Sequence, residues 1–101
     1  MFINGMRPVH PGEILREEYL APLDMSVNAL AAALHLTTPR LNEIVRERRG
    51  VSPGTALRLA RYFGTTPEFW LNLQMTYELQ KAAAEEWPAI MEQIAPLNMA
   101  A

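Results

Sequence analysis

The chain has 101 residues, 50% hydrophobic and 20% charged, which suits one domain around one modest core rather than a disordered chain. Cysteine is absent, which excludes disulfide frameworks and thiolate metal sites and fits a reducing compartment. No window approaches a membrane-spanning length and residues 1–9 carry no apolar signal core, so a cytoplasmic protein with no membrane contact is expected.

Pro11 followed by Glu13 predicts a first helix through Ile14, Leu15, Tyr19 and Leu20, which Pro22 closes because proline cannot continue a helix. Ser26 is a natural N-cap for a second helix, in which Val27, Leu30, Ala31 and Leu34 recur at i, i+3, i+4 and i+7. Thr37-Thr38-Pro39 starts a third, with either threonine as cap, with Leu41, Ile44 and Val45 inward and Gly50 as its stop. Ser52-Pro53 starts a fourth, with Ala56, Leu57, Leu59, Ala60 and Phe63 inward and Gly64 as a left-handed terminator. Thr66-Pro67-Glu68 starts the fifth and longest, which runs to Glu85 or Glu86 through Phe69, Trp70, Leu73, Tyr77 and Leu79. Trp87-Pro88 then interrupts the pattern, leaving at most one short turn over residues 89–95 and a frayed end. No run alternates with period two. The prediction is an all-α fold of five helices: an N-terminal extension over 1–9, a domain over 10–86, and a C-terminal tail over 87–101.

Within that domain, residues 26–46 meet the spacing rules of a helix-turn-helix, two short helices crossing steeply through a three- to four-residue turn. Leu30 and Leu34 face inward, Ala31 is small where the helices cross, Leu36 plugs the turn, and Leu41 and Ile44 stand three apart on the second helix. His35 occupies the turn position where glycine commonly supplies positive φ, at an expected strain of about 1 kcal/mol. Spacing alone leaves an ordinary helical hairpin open.

The polar residues favour nucleic acid. Residues 40–61 hold six arginines against two glutamates, a net of +4, between flanks that are both acidic. A solvated helix face would account equally well for such a cluster taken alone. The outward face of the third helix, however, carries Thr37, Thr38, Arg40, Asn42, Glu43 and Arg46, candidates for reading bases: arginine pairs with guanine, asparagine with adenine, and glutamate accepts from cytosine. Ser26 and Asn28, at the start of the second helix, and Arg48 and Arg49, just after the third, are candidates for phosphate contacts.

Catalytic readings are weak. His10 and Glu13 lack a third metal ligand, His35 is isolated, and Gly50 and Gly54 belong to no phosphate-cradling loop. Glu17-Glu18 and Glu85-Glu86 are adjacent pairs on different helix faces, so neither forms a dyad. No metal, cofactor or small-molecule ligand is expected, and no enzyme activity.

The opening His10-Pro11-Gly12-Glu13-Ile14-Leu15, the Leu30-Ala31 and Leu36-Thr37 pairs, and the run Thr66-Pro67-Glu68-Phe69-Trp70-Leu71-Asn72-Leu73-Gln74 together resemble the HigA family of antitoxins, a branch of the Xre/Cro-type repressors with a lambda-repressor-like fold. The resemblance covers roughly residues 8–80, with His35 its one visible departure. It implies a homodimer that binds its own operator, and a partner toxin, a small ribonuclease of RelE-like fold. It also implies that the fifth helix, over 66–86, supplies dimer contacts, through Phe69, Trp70, Leu73 and Tyr77. For the toxin, the acidic first helix with Glu13, Glu17 and Glu18 is the candidate surface. Two alternatives stand beside this one: a stand-alone Xre-type regulator, and an interaction module that has lost DNA binding.

Overall fold

In the computed structural model residues 7–98 are described; residues 1–6 of the predicted extension and 99–101 of the predicted tail lie outside them. The first helix, α1, starts as a single α-turn, Pro11–Ile14, and continues as a π-helical segment, Leu15–Leu20. Four α-helices follow: α2, Val27–Leu34; α3, Thr38–Val45; α4, Pro53–Phe63; and α5, Pro67–Gln93. The described residues contain no strand.

The helix starts follow the chemistry of the sequence. Ser26, Thr37, Ser52 and Thr66 each take an extended conformation, and each side-chain oxygen accepts the amide three residues on, from Ala29, Arg40, Thr55 and Phe69. Thr37, not Thr38, is therefore the cap of α3. His10 plays the same part for α1, its Nδ1 accepting the Gly12 amide at 2.8 Å. This is the helix-start role expected of the stretch, and among the described residues no group of three or more carboxylates and imidazoles is placed to hold a metal ion.

Several stops differ from the expectation. Gly64 closes α4 in the left-handed region, as predicted, at φ 74. Gly50 does not stop α3, which ends at Val45; the chain reverses instead at Glu47, a left-handed residue at φ 64. At Gly50 a Cβ would stand 2.8 Å from Nε2 of Gln74 and push on the end of that side chain, whose Oε1 accepts the Val51 amide. Helix α5 does not end near Glu86 but passes through Pro88 to Gln93, absorbing much of the predicted tail. The π-helical winding of Leu15–Leu20, with the Ala21 amide bonded to the Arg16 carbonyl five residues back, was not expected. It turns Leu15 and Leu20 to one inward face, which α-helical winding would separate.

The core is a single cluster in which α2 packs on α3 and α4, α1 on α3 and α5, and α4 on the first part of α5. Leu15, Leu30, Leu41, Ile44, Leu59 and Trp70 are fully enclosed. Trp70 lies at its aromatic side, near Tyr19 and with its indole N–H donated to Thr65 Oγ1 at 2.8 Å. Leu57, expected inward, is 60% exposed on the outer side of α4. Every buried side-chain nitrogen and oxygen among the described residues has a hydrogen-bond partner. No helix there is long and apolar enough to cross a membrane.

Candidate nucleic-acid interface

Helices α2 and α3 form the expected unit. Leu30, Ala31, Leu34, Leu41 and Ile44 are all buried and Leu36 packs against them. His35 carries the turn at φ 56, ψ 42, the left-handed conformation required of the glycine it replaces. Its own amide and that of Leu36 bond back to the Ala32 and Ala31 carbonyls, which closes the end of α2. The Arg58 guanidinium, reaching from α4, donates to the Leu34 carbonyl at 2.8 Å. That arginine, one of the six in the basic stretch, caps a helix rather than standing free.

With its inner face fixed by Leu41, Ile44 and Val45, α3 turns the opposite face to solvent. Thr37, Arg40 and Arg46 are exposed, and Thr38, Asn42 and Glu43 are half-buried at the edges of that face. Beyond the end of α3, Arg48 and Arg49 are exposed as well. Among the described residues Arg40, Arg46 and Arg48 make no ion pair. Arg49 is different: its Nε and Nη2 both donate to Oε1 of Glu43, at 3.1 and 3.0 Å, leaving the second carboxylate oxygen open to a further donor. Ser26 and Asn28 are exposed at the start of α2, the Ser26 oxygen accepting the Ala29 amide at 3.0 Å and keeping its own proton to donate. The base-reading candidates thus stand at the outer face and edges of α3, and the phosphate candidates are exposed on its following turn and at the start of α2.

The other candidates are more scattered. Glu13 is held bidentately by Arg7, at 2.8 and 2.7 Å, which keeps its carboxyl below the usual range, and Glu17 accepts from Arg16 Nε at 2.9 Å. Glu18 is exposed without an ion pair among the described residues. Of the four apolar residues assigned to a dimer contact, Trp70 is 0% exposed and belongs to the chain's own core, so it cannot reach a second copy. Leu73 leans on the same core, and Tyr77 packs edge-on against His10, ring centroids 4.8 Å apart. Phe69 remains partly open. The larger exposed apolar surface lies farther along α5, at Leu79, Trp87 and Met91, and continues to Ile94 just past its end.

Sequence reasoning missed one residue that bears on this surface. Arg16, which lies in the acidic stretch before the helix-turn-helix, reaches across to the Val45 carbonyl at 2.6 Å and to Glu47 at 3.3 Å. These partners lie 29 and 31 residues away, so no local spacing could reveal them.

A family model described as helix-turn-helix matches residues 15–70. Virulence-associated protein I of Dichelobacter nodosus is 55% identical over 83 residues, which make up 82% of this chain and 77% of that one. An addiction-module antidote protein of a HigA family from Coxiella burnetii is similar with a TM-score of 0.87 at 47% identity, across 91% of this chain and 100% of that one. The Pseudomonas aeruginosa antitoxin HigA, solved with the higBA promoter, gives 0.88 at 52% identity, across 90% of this chain and 99% of that one. A helix-turn-helix core, the His10-to-Glu13 opening and a long last helix are thus joined by extensive likeness in sequence and structure, and the chain belongs to the HigA family of helix-turn-helix antitoxins.

Proposed function

We propose that this chain is a cytoplasmic, non-enzymatic antitoxin that represses its own operon as a homodimer and silences a small RelE-like ribonuclease. The observation that carries the DNA-binding part is the outer face of α3. Arg40 on α3, and Arg46 and Arg48 just past its end, are exposed and make no ion pair among the described residues. Exposed arginines without an ion-pair partner attract phosphate and can pair with base edges once α3 enters a major groove. The Pseudomonas relative bound to promoter DNA supports the same use here.

In this reading Thr37, Thr38, Arg40, Asn42, Glu43 and Arg46 read bases, while Ser26, Asn28, Arg48 and Arg49 hold phosphates. Dimer contacts come from Phe69, from Leu79, Trp87 and Met91 on the outer part of α5, and from Ile94 at its end, more apolar surface than a monomer of this size commonly leaves open. Two copies of α3 about 34–36 Å apart fit a palindromic site with half-sites one helical turn apart. The acidic residues of α1, Glu13 and Glu17, each paired with an arginine, and the exposed Glu18, are offered to a basic ribonuclease.

The test is anisotropy titration of a duplex carrying the chain's own promoter, and of a scrambled duplex, over a range of salt. Arg40→Ala is expected to lose about 1–3 kcal/mol on the promoter at one base position and little on scrambled DNA. Arg48→Ala weakens both duplexes alike and lowers the salt slope by about 0.9 for each phosphate that is no longer neutralised. Equal losses on the two duplexes for Arg40→Ala would remove it from base reading. For the toxin, growth rescue on co-expression with the neighbouring gene is the measure, and no rescue refutes that part.

A further inference from the structure

Helix α1 lies outside the helix-turn-helix, yet it meets the far end of α3 twice within little more than one turn. At Gly12 the backbones touch so closely that a Cβ would collide with the Ile44 carbonyl, so only glycine fits. One turn on, Arg16 donates through Nη1 to the Val45 carbonyl at 2.6 Å and through Nη2 to Glu47 Oε2 at 3.3 Å, while its Nε holds Glu17. Val45 is the last residue of α3, where carbonyls have no partner within the helix and a cation is favoured by the helix dipole. Glu47 is the left-handed residue at which the chain reverses, its amide bonded to the Ile44 carbonyl at 2.9 Å and the next amide, of Arg48, to Glu43 at 2.8 Å. Arg48 and Arg49 leave this turn. Its shape decides where they point.

We propose that Arg16 is a positioning residue for DNA binding: by clamping the Val45 carbonyl and the Glu47 carboxylate together it fixes the left-handed turn after α3 and so aims Arg48 and Arg49 at the phosphates. The proposal rests on the DNA-binding reading above. A planar guanidinium serves two acceptors at once in a fixed fork, whereas an ammonium of equal charge on a flexible stem does not. Charge alone and clamping therefore predict different behaviour for lysine.

The experiment compares wild type, Arg16→Ala and Arg16→Lys on the promoter duplex at one salt concentration, with circular dichroism melts to establish that each is folded. Promoter affinity is expected to fall about tenfold for Arg16→Ala and about threefold for Arg16→Lys. In an Arg48→Ala/Arg49→Ala background the Arg16→Ala effect shrinks below about twofold, because the residue acts through side chains already gone. In the DNA-free protein, hydrogen exchange at the Glu47 and Arg48 amides speeds up in Arg16→Lys while α2 amides are unchanged. Should Arg16→Ala fail to fold, the lysine variant carries the same comparison in both backgrounds. Lysine binding as tightly as wild type overturns the proposal, as does an Arg16 effect of equal size in both backgrounds, which marks a direct phosphate contact. Wild-type protein that binds no promoter duplex overturns the DNA-binding reading and this proposal together.

Discussion

The imidazole of His10 accepts the Gly12 amide through Nδ1, so its proton rests on Nε2, and protonating Nδ1 would set one N–H against another. Burial lowers its pKa first; Glu47 and Glu78 work the other way, and Arg16 and Lys81 add to the lowering. A histidine whose folded pKa lies below its unfolded value stabilises fully above the unfolded pKa of about 6.5, and that stability is lost as pH falls below it. The melting temperature is therefore expected to drop between pH 7.5 and 5.5 at about constant ionic strength, and His10→Asn, which keeps a capping oxygen, to flatten that dependence. An unchanged slope in the variant would move the titration elsewhere. His35 offers a second single-residue test. It is exposed at φ 56, so His35→Gly removes strain and buries nothing less; a gain of about 0.5–1 kcal/mol in urea unfolding is expected, with promoter affinity unchanged. A loss of stability would show that the unfolded chain's extra freedom outweighs the relief.

Among the elements, α5 departs most from expectation. Proline inside a helix removes one hydrogen bond and crowds the preceding turn, at about 3 kcal/mol. The residues on either side of Pro88 favour helix, from Ala82 to Glu86 and from Ala89 to Gln93, and they carry the helix across the defect. The segment past Pro88 is exposed, with Met91 at 59% and Ile94 at 63%. A second copy covering this stripe would offset the proline. Met91→Glu with Ile94→Glu is expected to yield a monomer by light scattering, with the circular dichroism of the folded domain kept and promoter affinity at least about tenfold weaker. Dimers that persist in the variant would return the contact to Phe69 and the start of α5. The other helices were more legible because their signals are local: Ser26, Ser52 and Thr66 cap as their sequences announce, and Gly64 supplies the left-handed stop. The end of α3 was not legible, since the chain reverses at Glu47, a non-glycine residue at positive φ whose carboxylate meets an arginine 31 residues away in another helix. The π-helical turn in α1 was equally hidden, because what selects it is the burial of Leu15 and Leu20 against elements not yet folded.

At the scale of the whole molecule the charge pattern survives folding. The basic third of the sequence supplies α3, its following turn and α4, and two of its arginines are drawn into local work: Arg58 as a cap and Arg49 against Glu43. What composition could not convey is which arginines stay free, because that depends on the acceptors the fold brings near. The burial of Trp70 was hidden for the same reason: on α5 it reads as one more apolar residue, and only the packing of α1 and α4 encloses it. The molecule measures 57 × 25 × 21 Å, with a radius of gyration of 17.1 Å against about 13 Å for a compact chain of this length. The excess is α5 extending past the globular part. In the proposed dimer this helix is a lever about 40 Å long with the joint toward its tip and the reading head at its base. Pro88 lies on the outer part of that lever, about 32 Å from its base, where a bend of about 10° would swing the head by about 5–6 Å, more than one base-pair step. A proposed dimer joined beyond the proline would then tolerate operators whose two halves are not spaced alike.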